Sequence, residues 1–176
     1  MAKVKIGEPV PGFTLRGVDG KTHSLKDYKD KKAIAVVFSC NHCPTVKDYE
    51  DRMVQIQKDY ADRGVVLVAI NPNDSIKYPE DSFDNMVLRA REKHFNFPYL
   101  RDEDQSVARA YGAERTPEVF LTDPRGVLRY HGRIDDSRDP QKIRSHDLRN
   151  ALDALLKGRP ISVVETEPHG CTVKWR

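Results

Sequence analysis

Cysteine is scarce in this chain of 176 residues, which contains only three. A disulfide-stapled secreted scaffold normally has a larger and even set, so three cysteines argue against that class. A net charge of +3 is too small to indicate binding to nucleic acid or to a membrane surface. Polar residues interrupt every apolar segment, so none is long enough to cross a bilayer. We therefore predict a soluble protein with no nucleic-acid partner and no membrane partner.

The N-terminal segment Met1–Ile6 has no continuous apolar stretch of the kind found in signal peptides. We therefore expect a cytoplasmic protein, unless a leader has been removed. The length favours one domain over residues 1–160, with residues 161–176 as a C-terminal tail of the same domain. In a reducing cytosol, a close pair of cysteines is more often catalytic or metal-binding than structural.

Apolar periodicity predicts an α/β architecture. Residues 33–39 and 65–70 form continuous apolar runs typical of buried strands, and an amphipathic helix lies between them. This β-α-β unit implies parallel strands and a right-handed crossover. Further patterns predict hairpins over residues 13–25 and 118–130 and a last helix over 148–156. Together they predict a mixed central sheet flanked by helices, with an N-terminal β-hairpin and a C-terminal tail.

The segment Cys40-Asn41-His42-Cys43 lies between the first buried strand and the helix. A disulfide oxidoreductase needs one thiol that attacks and a second that releases the mixed disulfide, and this spacing provides both. We predict that Cys40 is the nucleophile and Cys43 the resolving thiol. The helix N-terminus and the imidazole of His42 should both favour a thiolate, so we expect a lowered Cys40 pKa.

Two other interpretations of the dithiol stay open. The cysteines could be a buried pair that only packs. They could also be half of a zinc site, but a closed zinc site needs four ligands, and only Cys171 and six scattered histidines remain. We therefore predict no metal. We also predict no organic cofactor, because the cysteines themselves would carry the electrons.

The order of several motifs resembles the thioredoxin-like superfamily, in particular its peroxiredoxin-like or redoxin branch (alkyl hydroperoxide reductase and thiol-specific antioxidant). An N-terminal hairpin that follows Gly7-Glu8-Pro9, the dithiol after the first core strand, and Thr116-Pro117 before another strand occur in that order. The resemblance covers about residues 6–157 and implies a thioredoxin-like fold. It also implies a cis bond at Pro117, with Thr116 and Pro117 beside the dithiol, where the preceding backbone could pair with a substrate chain.

The chain departs from thioredoxin or from typical peroxiredoxins at three of the positions near the dithiol. Ile34 stands where thioredoxin has a buried Asp, so that proton acceptor is absent or supplied elsewhere. Cys43-Pro44-Thr45 resembles the peroxidatic segment of peroxiredoxins, but Cys40 replaces the Thr three residues before it. His42 stands where disulfide isomerases have a histidine, which indicates a redox potential above about −240 mV.

Cys171 lies in the tail, close to His169 and Trp175. The tail could fold back and bring a third redox thiol to the dithiol, as C-terminal resolving cysteines do in some peroxiredoxins. Cys171 could instead be a packed or exposed spare thiol. We favour this second interpretation because a lone cysteine carries little information.

The leading prediction is a thiol–disulfide oxidoreductase that exchanges electrons with protein or small-molecule disulfides through Cys40 and Cys43. A cellular thiol reductant would supply the electrons. The alternative is a thiol-dependent peroxidase with an antioxidant role, and the second alternative is a metal-binding or redox-regulatory module without turnover. The sequence does not indicate the substrate, the electron donor or the oligomeric state.

Overall fold

The computed structural model describes residues 2–176, which are built around one seven-stranded sheet. The strands β1 to β9 are, in chain order, Thr14–Gly17, Thr22–Ser24, Ala33–Phe38, Val65–Asn71, Tyr99–Arg101, Arg115–Thr116, Glu118–Thr122, Leu128–Gly132 and Cys171–Thr172. The helices α1 to α4 are Pro44–Tyr60, Phe83–Glu92, Ser106–Tyr111 and Asp147–Leu156.

The strand order in the main sheet is β2-β1-β5-β4-β3-β7-β8. The central strands β3, β4 and β5 run parallel, as the β-α-β pattern predicts. β7 pairs antiparallel with β3, and β8 pairs antiparallel with β7. The N-terminal β1–β2 hairpin joins the other side of the sheet through β5. This mixed sheet with flanking helices, an N-terminal hairpin and a C-terminal tail confirms the predicted thioredoxin-like fold.

The apolar run of β3 is continuous because both faces of the sheet are covered. Successive side chains of a strand point to opposite faces. Ala35 and Val37 accordingly join the core formed with α1 and α4, whereas Val36 and Phe38 join the core on the other face. The Phe38 ring meets Tyr111 of α3 edge to face, with ring centroids 5.4 Å apart. Helices on both faces therefore fix the position at which β3 ends.

The turn between β3 and α1 carries the dithiol. Phe38 is the last residue of β3, and α1 begins at Pro44, with Cys43 as its N-cap residue. A proline at the first helical position costs no helical hydrogen bond, because the N–H there would have no partner within the helix. Cys43 therefore lies at the helix N-terminus, whereas Cys40 lies three residues before it.

The C-terminal tail returns to this turn after α4. Its strand β9 pairs antiparallel with β6 and sets Cys171 opposite Thr116. The backbone N–H of Asp74 donates to the carbonyl of Lys174 at 2.8 Å, which holds the tail beyond β9. The division of the domain at residue 160 stays a prediction. Within residues 2–176, no helix is long and apolar enough to cross a membrane.

Candidate active site

Three cysteines meet at the turn between β3 and α1. A disulfide joins Cys43 to Cys171, 128 residues later in the chain, and their Cα atoms are 6.2 Å apart. Cys40 is a buried free thiol that packs against Cys43 and Val46, with Cys171 beside them. The interpretation of Cys171 as a spare thiol is therefore wrong, because the tail folds back onto the dithiol. A role for Cys171 in turnover stays a prediction.

The peptide bond between Thr116 and Pro117 is cis, as the family resemblance implies, and it lies beside the cysteines. The Thr116 hydroxyl is 3.5 Å from Cys40 Sγ, and the Thr116 carbonyl oxygen is 3.6 Å from Cys43 Sγ. Thr116 also pairs with Cys171 across β6 and β9. One residue therefore contacts both members of the dithiol and the tail cysteine.

Gly170 allows the tail to lie directly on the cis peptide. A Cβ at this position would overlap the carbonyl oxygen of Thr116 and would lie only 2.6 Å from the carbonyl carbon of Thr116. The guanidinium of Arg115 donates to the Gly170 carbonyl at 3.2 Å. The edge of β6, where the resemblance places a substrate chain, is thus occupied by the chain's own tail.

The environment of Cys40 differs from the predicted one. Cys40 is 1% exposed. Burial and the negative charge of Asp81 raise the pKa of Cys40 to about 11, although the Thr116 hydroxyl acts in the opposite direction. The expected lowering of the Cys40 pKa is therefore wrong. The physical reason is that Cys40 is buried beside a carboxylate, while the residue at the helix N-terminus is Cys43.

The buried carboxylate of Asp81 organises the segment between the two cysteines. Its Oδ1 accepts hydrogen bonds from the backbone N–H of Asn41 at 2.7 Å and from the Asn71 amide at 3.2 Å. Its Oδ2 accepts from the Asn73 amide at 3.0 Å. Sequence reasoning missed Asp81, which is the last residue of a short 3-10 helix, Pro79–Asp81, just before α2 and 40 residues after Asn41. It provides a buried carboxylate near the dithiol although Ile34 occupies the usual Asp position.

His42 lies at the outer side of this segment. Its Nδ1 forms an ion-pair contact with Oδ2 of Asp81. Its ring stacks on Tyr78, with centroids 5.6 Å apart and planes inclined by 7°. The predicted tuning of a thiolate by His42 stays a prediction. Cys40, His42 and Asp81 together offer one ligand atom each within 4.8 Å of one another, which is a spacing that could hold a metal ion.

The geometry can be compared with known proteins. The profile of the AhpC/TSA family matches residues 6–131, which is more than half of the chain. This chain belongs to the AhpC/TSA family. The matched residues of this AhpC/TSA protein include the dithiol and the cis-proline, whereas Cys171 lies beyond them.

The similarity of this AhpC/TSA protein extends to thiol–disulfide exchange proteins. It is 32% identical over 139 residues to the thiol:disulfide interchange protein DsbE of Pseudomonas fluorescens biotype C, covering 74% of this chain and 69% of that relative. The solved structure of an uncharacterized conserved protein from Geobacillus kaustophilus is 41% identical, with a TM-score of 0.91, over 99% of this chain and 95% of that one.

The fold of this AhpC/TSA protein also resembles that of a peroxidoxin. The structure of peroxidoxin BcpB from Mycobacterium tuberculosis matches with a TM-score of 0.63 and 17% identity, over 88% of this chain and 95% of that one. This likeness concerns the fold alone.

Proposed function

We propose that this protein is a thiol–disulfide oxidoreductase in which Cys40, Cys43 and Cys171 exchange disulfides with a thiol or disulfide substrate. The observation that carries the proposal is the Cys43–Cys171 disulfide on a strand that pairs beside cis-Pro117. An extended chain there presents its cysteine to a thiol at a helix N-terminus. This is the geometry that a mixed disulfide with a substrate polypeptide would need.

Within this proposal, Cys43 attacks the substrate. It is the N-cap residue of α1, where the helix dipole favours a thiolate, and its sulfur is bonded to the chain that pairs with β6. The sequence-based prediction gave the attack to Cys40. However, both thiols are buried, and the raised pKa of Cys40 makes it a weak nucleophile at neutral pH. Cys40 then acts second, on the sulfur of Cys43.

In the reducing direction, the exchange passes through a mixed disulfide between Cys43 and the substrate. The Cys43 thiolate attacks one sulfur of the substrate disulfide, and the other substrate sulfur leaves as a thiol. Cys40 or Cys171 then attacks the Cys43 sulfur, and the second substrate thiol leaves. The protein keeps one disulfide and has given two electrons to the substrate. A cellular thiol reductant would return those electrons, and both this reductant and the cytoplasmic location stay predictions.

Single cysteine variants test the proposal and separate the roles. We expect Cys43→Ser to lose insulin reduction by at least about 100-fold. We expect the double variant Cys40→Ser/Cys171→Ser, which lacks both thiols that could attack Cys43, to accumulate a mixed disulfide between Cys43 and a peptide substrate, which intact-mass measurement detects. Cys171→Ser should retain exchange. The opposite pattern, with Cys43→Ser trapping the mixed disulfide, would restore Cys40 as the nucleophile. Equal turnover of the wild type and a variant with three serines would refute the proposal.

A second function is favoured by the same pairing. Cys43-Pro44-Thr45 begins α1 as a peroxidatic segment would, and its cysteine pairs with a C-terminal cysteine. In a thiol peroxidase, the Cys43 thiolate attacks the peroxide O–O bond, becomes a sulfenic acid and releases an alcohol or water. Cys171 then condenses with the sulfenic acid, which forms the disulfide and releases water. Faster thiol-coupled consumption of peroxide than of disulfide, dependent on Cys43 and Cys171, would make this the main activity.

A further inference from the structure

Cys40, the second thiol of the proposed exchange, lies in a close cluster with His42 and Asp81, neither of which takes part in the exchange itself. A sulfur, a ring nitrogen and a carboxylate oxygen lie within 4.8 Å of one another. Cys40 and Asp81 are buried, whereas His42 is partly exposed and is the member of the cluster that faces solvent. The cluster is therefore shielded on its inner side and reachable past the imidazole.

The buried charge of Asp81 favours a bound cation in this cluster. It is completely buried, at 0% exposure. Within residues 2–176, its hydrogen bonds come from neutral backbone and amide donors, and His42 is the only basic side chain that forms an ion pair with it. A buried carboxylate is normally paired with a cation or bound to a metal, because leaving its charge unpaired is costly. No lysine or arginine of the described chain fulfils that role.

His42 also favours a bound cation in this cluster. Its Nδ1 is shielded from solvent, has no hydrogen-bond partner among the described residues, and lies against Oδ2 of Asp81. Stacking on Tyr78 fixes the plane of the ring. A ring nitrogen held in a fixed plane beside a buried carboxylate is a suitable metal ligand, because the metal can take the place of the proton between the nitrogen and the carboxylate. The amide donors on Asp81 orient the carboxylate in the same way.

We propose that Cys40, His42 and Asp81 bind one divalent transition-metal ion, for which Zn²⁺ is the best chemical match. Thiolate, imidazole and carboxylate are the three side-chain ligands of zinc, and three of them leave a fourth position open. The two negative charges of thiolate and carboxylate neutralise the dication. Magnesium and calcium prefer oxygen ligands only, so a site with a sulfur disfavours them.

This site exists only while the Cys40 sulfur is free. The Cys43–Cys171 disulfide leaves it free. If the Cys40 thiolate attacks Cys43 Sγ, a Cys40–Cys43 bond forms, the Cys43–Cys171 bond breaks, and Cys171 leaves as a thiolate with no net transfer of electrons. That step consumes the metal ligand. Zinc therefore stabilises the Cys43–Cys171 pairing over the Cys40–Cys43 pairing by mass action.

Metal titration of the whole chain, oxidised to the Cys43–Cys171 form and freed of metal with a chelator, tests the site. We expect one equivalent of Co²⁺ to bind with the near-ultraviolet absorption of a cobalt–thiolate bond, and Zn²⁺ to displace it. Cys40→Ser should lose this absorption. Asp81→Asn and His42→Phe, which keeps the stacking on Tyr78, should weaken binding at least about ten-fold.

Matched controls are Asp84→Asn and His146→Gln, which change exposed residues outside the cluster and should bind as the wild type does. The site is refuted if the wild type shows no saturable binding of one equivalent, or if binding is equal in Cys40→Ser and the wild type. If Asp81→Asn does not fold, protection of Cys40 from alkylation by Zn²⁺ decides instead. Protection in the wild type and none in His42→Phe supports the site, and any other pattern overturns it.

The coupling between zinc binding and disulfide pairing can be measured separately from metal binding. At a Zn²⁺ concentration about 100-fold above the dissociation constant, the ratio of Cys43–Cys171 to Cys40–Cys43 disulfides should rise about 100-fold. Peptide mapping by mass spectrometry after acid quenching measures this ratio. An unchanged ratio, in a protein shown to bind the metal, would refute the coupling. Because neither readout uses turnover, failure of the metal site is distinguishable from failure of the proposed oxidoreductase activity.

Discussion

Cys40 and Cys43 are separated by only two residues and are both buried, yet they differ in their electrostatic surroundings and in their bonding. Cys40 is a buried thiol near the Asp81 carboxylate, and its pKa is raised to about 11. Cys43 is the N-cap residue of α1, and its sulfur is bonded to the tail. The spacing of two cysteines therefore does not by itself determine the pKa or the bonding partner of each sulfur. The chain segments that reach the turn from elsewhere determine both.

The largest expected effect is on the alkylation rate of Cys40 in the oxidised, chelator-treated protein. A thiol with a pKa of about 11 is about 0.1% ionised at pH 8, against about a quarter for an ordinary cysteine. We therefore expect iodoacetamide to label Cys40 at least about 100-fold more slowly than a free cysteine peptide. Intact-mass measurement gives the rate, and the urea-unfolded protein is the control. A rate close to that of the peptide would remove the difference between the two thiols.

The next largest effect should come from Gly170→Ala, which acts on the pairing of Cys43 with Cys171. The new Cβ would overlap the Thr116 carbonyl, so the tail must move away from β6. Overpacking typically costs about 1–3 kcal/mol, which lowers the ratio of Cys43–Cys171 disulfide to open thiols in a glutathione buffer at least about five-fold. Gly12→Ala is the matched control, because a Cβ there meets nothing within 4 Å. Equal fractions in both variants would show that the tail does not need this close approach.

A smaller and pH-dependent effect should come from His131, which ties the tail to the sheet. Burial lowers the pKa of His131, but hydrogen bonds to Glu118 and Glu165 outweigh it and raise the pKa above its ordinary value. A raised folded pKa means that this pairing stabilises the protein fully below about pH 6.5, the unfolded value. The stabilisation is lost as the pH rises through the folded pKa.

Urea unfolding at a series of pH values measures this loss. Trp175 is the only tryptophan, lies in the tail and stacks on Arg109 at 4.5 Å, so its fluorescence reports tail docking. We expect the unfolding midpoint to fall as the pH rises above about 6.5, and Glu165→Gln to reduce that slope. An identical slope in Glu165→Gln and the wild type would contradict the role of this ion pair.

The smallest effect should come from Thr116→Val, which acts on Cys40 alone. Valine removes the hydroxyl 3.5 Å from Cys40 Sγ and keeps the carbonyl and the pairing with β9. Such a contact contributes about 1 kcal/mol, so the exchange rate of Cys40 should change less than about five-fold. Stopped-flow exchange with a chromogenic disulfide measures it. A fall in the Cys43–Cys171 fraction as large as that of Gly170→Ala would contradict the separation of the two surroundings.

The parts of the fold that the sequence predicts are those set by local pattern. The apolar runs of β3 and β4 and the three-and-four spacing of α1 depend on neighbours in the chain, so their identity is readable from it. The cis bond before Pro117 follows from the family resemblance, because cis prolines are rare in general.

The parts that the sequence does not predict depend on distant contacts. Asp81 reaches Asn41 from the 3-10 helix Pro79–Asp81, which is too short to show a periodicity in the sequence. Cys171 reaches Cys43 through β9, a strand of two residues that is too short to give a recognisable sequence pattern. Disulfide connectivity also cannot be deduced from cysteine spacing. The error about the Cys40 pKa has the same origin. The pKa is raised by burial and by the charge of Asp81, and neither can be read from the motif.

Thr116 offers a way to observe these states one by one. Its hydroxyl meets Cys40, its carbonyl meets Cys43, and its backbone pairs with Cys171. Every rearrangement among the three sulfurs must change the surroundings of this one residue. In a threonine-labelled sample, the magnetic resonance signals of Thr116 would take a separate frequency for each pairing. Their intensities would count the populations in solution, without quenching or digestion.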